Sequence, residues 1–134
     1  MTASTLEPTQ LHTSEEAAER AGVTFRQLDY WCTQGIITPT KVIGLNAGGS
    51  GSRRRWSDED ITRIATAAEL RDLGLGGPLI AIAVQSDALW LGIADGLIVE
   101  QLNSGDDLVA FVGRHFTSAS TLAIVKHKKR VLDA

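Results

Sequence analysis

Thr13-Ser14-Glu15-Glu16-Ala17-Ala18-Glu19-Arg20-Ala21-Gly22-Val23-Thr24-Phe25-Arg26-Gln27-Leu28-Asp29-Tyr30-Trp31 decides how this chain is built. Its first four residues have the form of a capping box: the Thr13 hydroxyl accepts from the backbone three residues on, and Glu16 reaches back. That predicts a short helix over Ser14–Ala21, ended at Gly22, where a left-handed residue costs little. Thr24-Phe25-Arg26-Gln27 repeats the device and predicts a second helix that ends at Gly35. Two short helices joined by Gly22-Val23-Thr24 make a helix-turn-helix. Ala17, Ala18 and Ala21 are small enough for the helices to approach closely, and Val23, Leu28 and Trp31 fill the space between them.

Downstream, Ile36-Ile37-Thr38-Pro39 is an apolar hinge followed by a breaker. Val42-Ile43 and Arg54-Arg55-Trp56 can pair as short strands, and residues 44–52 between them are too rich in Gly and Ser to hold a fixed fold. The pattern predicts a β-hairpin with a flexible tip, a wing. Ser57 caps a third helix whose first acids, Asp58-Glu59-Asp60, suit the positive end of a helix dipole. Ile61, Ile64, Ala65 and Ala68 mark its expected buried face, and Gly74 stops it. Pro78 suits the first turn of a fourth helix reaching Gln85, with Leu79, Ile82 and Ala83 inward.

After Ser86 the character changes. Ala88–Ala94 and Leu97–Leu102 read as strands around Asp95-Gly96, a strong two-residue hairpin signal. Ser104 and Asp107 open a helix with Leu108, Phe111, Val112 and His115 on one face. Thr121–Val125 reads as a third strand, and Lys126–Arg130 as a basic tail. The fold class is therefore α+β: a winged helix-turn-helix over residues 11–86, then a small ββαβ module over 87–134, with 1–10 as a flexible arm.

Composition limits the function. Hydrophobic residues are 43% and charged residues 22%, ordinary for a globular chain, and no apolar run approaches the roughly 20 residues that cross a bilayer. The start lacks the layout of a secretory signal, so a cytoplasmic location is expected. A single cysteine, Cys32, excludes an internal disulfide and any multi-cysteine zinc site, and His12, His115 and His127 share no ligand spacing. Neither a nucleophile elbow nor a phosphate-cradling loop is present: Gly48-Gly49-Ser50-Gly51 lacks the following helix and lysine. No cofactor, no metal and no enzymatic activity are expected. The net charge of −3 is unusual for a nucleic-acid binder, so any grip on DNA must come from local clustering of positive charge.

Val23-Thr24-Phe25-Arg26-Gln27-Leu28-Asp29-Tyr30-Trp31 with Gly35-Ile36-Ile37 and Pro39 resembles the recognition helix of the MerR regulators and its exit. Gly51-Ser52-Arg53-Arg54-Arg55-Trp56-Ser57, Asp60-Ile61 and Leu70-Arg71-Asp72-Leu73-Gly74 are similar to that family's wing end and following helices, so the resemblance spans Leu11 to Gln85. Its form resembles the MerR-like proteins of actinobacteria and their phages more than the family's metal-sensing members. The resemblance implies a sequence-specific double-stranded DNA-binding transcriptional regulator. An excisionase-like architectural factor and a protein-interaction adaptor are the alternatives. Two departures stand out. Asp29 occupies a position where the family commonly has Arg, and nothing after Gln85 offers the family's long dimerising helix.

Within that frame the expected DNA contacts are Thr24, Phe25, Arg26 and Gln27 in the first turn of the recognition helix, where Arg can read guanine and Gln adenine. Phe25 fits a hydrophobic staple equally well, and Thr24 and Gln27 fit helix caps. Tyr30 resembles the family's phosphate-contacting tyrosine. Arg53, Arg54 and Arg55 sit at the wing's end, where guanidinium groups bind phosphate oxygens, with Arg53 and Arg55 on one face and Arg54 on the other. Lys41 adds a further phosphate contact, whereas Trp31 and Trp56 read as core. A single unit this small needs a homo-oligomer or cooperative copies on repeated sites. Leu89, Leu91, Ile93, Ile98 and Leu102 of the C-terminal module are the expected association surface.

Overall fold

A computed structural model describes residues 11–43, 53–96 and 98–127. The expected N-terminal arm, the wing tip at 44–52 and the end of the basic tail lie outside these residues.

Helix α1 (Ser14–Ala21) begins with both halves of the Thr13/Glu16 capping box and ends at Gly22, φ 80°. Helix α2 (Phe25–Thr33) starts at Thr24, whose hydroxyl accepts from the Gln27 amide, but the reciprocal half of that box is not formed. Strands β1 (Lys41–Val42) and β2 (Arg54–Arg55) pair antiparallel, Lys41 opposite Arg55 and Val42 opposite Arg54. Trp56 then leaves β1 and exchanges backbone bonds of 2.8 and 2.9 Å with His12, which ties the hairpin to the start of α1. The indole of Trp56 is fully buried and donates to Ser14 Oγ at 2.9 Å, so it is core, as expected.

Helix α3 (Asp58–Asp72) opens with a second complete capping box, Ser57 with Asp60. Its buried face is Asp60, Ile64, Thr66, Ala67 and Leu70. Ala65, expected inward, is exposed, because the helix is covered on a face shifted toward Ala67. Helix α4 (Gly77–Val84) buries Ile80, Ala83 and Val84 and turns Ile82 outward. In so apolar a helix periodicity could not choose the inner face; the contact with α3 chose it.

The C-terminal part forms β3 (Trp90–Ala94), β4 (Ile98–Leu102), α5 (Gly105–His115) and β5 (Leu122–Lys126), a three-stranded antiparallel sheet ordered β4-β3-β5. Asp95 and Gly96 both have positive φ, 56° and 70°, as a tight hairpin turn requires. Along β3 the two faces diverge in use. Leu91 and Ile93, with Val125 across from Leu91, join Leu28, Trp31, Trp56, Ile64, Leu70 and Ile80 in one continuous core. Ala94 and Leu102 on the other face pack with Phe111 of α5, which lies over Gly92.

This arrangement corrects one expectation. Leu91, Ile93 and Leu102 are not a surface for association; all three are buried within the chain itself. His127 is also fully buried, its ring 3.5 Å from Thr66 Oγ1 and 3.3 Å from the Ser86 carbonyl, so the end of β5 is fastened between α3 and the end of α4.

Candidate nucleic-acid interface

Helix α2 buries Leu28 and Trp31 against the core. At 100° per residue, Arg26 and Tyr30 fall one turn apart on its opposite face. Both are exposed, and neither makes a hydrogen bond or ion pair among the described residues. Thr24 and Phe25 are exposed at the same helix start, Thr24 as its cap. Phe25 is not the staple; Val23, ahead of the cap, is the side chain that packs on the core. Gln27 is turned sideways. Its amide oxygen accepts from Arg71 of α3 at 3.4 Å, and the Arg71 guanidinium lies 5.9 Å from the centre of the Trp31 ring.

The three arginines of the hairpin are used unequally. Strand alternation puts Arg54 with Val42 on one face and Arg55 with Lys41 on the other. Arg54 points at α2 and meets Asp29 at 2.8 Å, with only 12% of its side chain exposed. Arg53 donates to the Ile43 carbonyl at 3.4 Å, and Arg55 to the Arg54 carbonyl at 2.9 Å. Lys41 is exposed and has no polar partner among the described residues. Lys41 and Arg55 thus stand directly across the ladder from each other, two cations on one face of the hairpin.

The hairpin is held at its base as well. Asp60, almost wholly buried, accepts from the Ser57 amide, the Thr40 hydroxyl and the Arg63 guanidinium. Thr40 directly precedes β1, so the first residues of α3 fix where the hairpin leaves the body. The Cys32 thiol, one turn beyond Asp29, is pushed up from its ordinary range by burial, with Arg54 opposing the shift. It is a packed residue rather than a reactive one.

Sequence reading brought Arg26, Tyr30 and the hairpin cations to neighbouring elements but missed the residues that join those elements. By sequence alone Asp29 is only a departure from the Arg common at that position in the MerR family. The available signal was that Arg54 must face away from Arg53 and Arg55, toward whatever packs beneath the hairpin. Asp60 and Thr40 carried no such signal, because Asp60 looks like any helix-start acid.

The sequence is similar to that of known regulatory proteins. The family model described as MerR HTH family regulatory protein matches residues 12–86. Uncharacterized HTH-type transcriptional regulators from Mycobacterium bovis and from two strains of Mycobacterium tuberculosis are each 33% identical over 101 residues, covering 69% of this chain. The chain spans 44% of the length of these relatives.

Proposed function

This chain belongs to the MerR HTH family of regulatory proteins, and we propose that it is a sequence-specific duplex-DNA-binding transcriptional regulator. In this reading residues 11–86 form the winged helix-turn-helix, 87–134 form the assembly module, and the protein works in the cytoplasm. Among the described residues no helix is long and apolar enough to cross a membrane. The family is regulatory rather than enzymatic.

One observation carries the proposal: the Asp29–Arg54 ion pair fastens the hairpin beside a helix whose outer face holds Arg26 and Tyr30. The first turn of α2 enters the major groove, with Arg26 on a base edge or phosphate and the Tyr30 hydroxyl on the backbone. Lys41, Arg53 and Arg55 take phosphates from the hairpin. Arg54 sets the distance between helix and wing instead of touching DNA through its paired nitrogen. Gln27, held by Arg71, orients α2 on α3. A chain of net charge −3 can bind a polyanion only through such a local ridge.

The test is binding of labelled random duplexes across a salt series. Log affinity should fall steeply with log salt. Arg53→Ala with Arg55→Ala should flatten the slope by roughly one to two units, and Arg26→Ala should weaken binding with the hairpin intact. An unchanged slope in the double variant removes the wing from the interface.

A further inference from the structure

We propose that two copies of this chain associate by pairing their β5 edges antiparallel about Ile124, merging the two three-stranded sheets into one. Strand β3 is central and β5 is an outer strand. Asp95 donates to the Thr121 carbonyl at 2.8 Å and His127 donates to the Leu89 carbonyl at 2.7 Å. Hydrogen-bonded positions alternate along an antiparallel ladder, so Thr121, Ala123, Val125 and His127 bond inward. Leu122, Ile124 and Lys126 therefore turn their outer N–H and C=O groups away from the sheet, and no described residue pairs with them.

The two edges of this sheet differ in protection. On β4, Glu100 is bound by Arg114 and by His115 at 3.0 Å, placing charge across that side of α5. Charge is a usual device against unwanted edge pairing. The middle of β5 carries none. Val109 and Val112 of α5, Phe116 at its end and Ile124 on the strand are exposed. Lys126 is the single charge on β5 and occupies its last position.

The strand is complementary to itself. A two-fold axis through Ile124, normal to the sheet, sets Ile124 against Ile124 and Leu122 against Lys126 of the second copy, with about six backbone hydrogen bonds. The two Lys126 ammoniums end up about 13 Å apart, beyond the screening length in physiological salt. Because the sheet lies between α5 and the helices of residues 11–86, this axis keeps both α5 helices on one face and both helix-turn-helix units on the other. A single unit of this kind buries only about 600–1,000 Å² on DNA, and two copies can reach paired half-sites. That last point rests on the DNA-binding reading above. The pairing is tested without DNA, so the two can fail separately.

Light scattering on the full chain should give twice the 14.3 kDa of one copy. Ile124→Pro deletes only an outward N–H and should yield the single-chain mass with unchanged circular dichroism. Ile124→Lys and Ile124→Glu, each facing its own copy across the axis, should both be monomeric, and mixing them one to one should restore the doubled mass. These two variants alter an exposed side chain and remain decisive if proline disturbs the strand. A wild-type chain that stays monomeric at about 100 μM overturns the proposal. So does a doubled mass that survives either charged substitution, or a mixture that fails to recover it.

Discussion

Asp29 accepts a guanidinium nitrogen of Arg54 at 2.8 Å while keeping 45% of its own side chain exposed. An ion pair so open to water is worth little by its charges alone, about 0.5–1 kcal/mol at most. Its value lies in which elements it joins. A double-mutant cycle of Asp29→Ala and Arg54→Ala in denaturant melts should return a coupling of about 0.5–1 kcal/mol. Zero coupling means that the pair does not hold the hairpin. Asp60 is the contrasting case. It is buried and accepts from three groups, so Asp60→Ala leaves the Ser57 amide, the Thr40 hydroxyl and the Arg63 guanidinium without their acceptor. A loss of about 3 kcal/mol or more is expected, readable as a lower melting temperature.

The C-terminal elements are packed more tightly than their sequence suggests. A β-carbon on Gly92 would come within 2.9 Å of three atoms of the Phe111 ring, so α5 can lie on β3 only because the side chain is missing. Gly92→Ala should cost about 1–3 kcal/mol, and Phe111→Leu in the same chain should recover part of it. A neutral Gly92→Ala means that the ring can retreat. Glu100 supplies a pH-dependent contact between β4 and α5. Its carboxyl is held below the ordinary value near 4.5, first by the hydrogen bond from His115, with Arg114 adding to it and burial opposing. A depressed carboxylate stabilises the fold above its unfolded value, and that contribution is lost as pH falls through the folded one. Melting temperature should therefore fall from about pH 5 downward, and Glu100→Gln should flatten that part of the profile.

Residues 11–86 and 87–127 meet in one core, where Leu91, Ile93 and Val125 pack with Ile64, Leu70 and Ile80. His127 fastens the far end against Thr66 and Ser86. A chain cut after residue 86 exposes that apolar surface and leaves α3 and α4 uncovered on one side. The full chain should melt in a single cooperative transition, and the fragment should melt at a clearly lower temperature by circular dichroism. A fragment as stable as the whole would show the sheet to be an appendage. The assembly role proposed for the C-terminal module moves, with this packing, to the β5 edge. Leu91, Ile93 and Leu102 are consumed internally, whereas Leu89 and Ile98 stay exposed, and the unpaired β5 edge is the surface proposed above.

The caps at Thr13, Thr24, Ser57 and Ser104, the glycines at 22 and 74, and the Asp95-Gly96 turn were all legible in the sequence. Each is a local device whose partners lie within four residues, so residue order alone determines it. The alternation that sets Arg54 apart from Arg55 was legible for the same reason. What Arg54 meets was not, since Asp29 lies 25 residues away and only the docking of the hairpin on α2 brings the two together. The inner faces of α3 and α4 and the burial of Leu91 and Ile93 were likewise decided by packing. An apolar side chain fits a core or a surface patch equally well, and the choice falls to whichever neighbours the fold delivers.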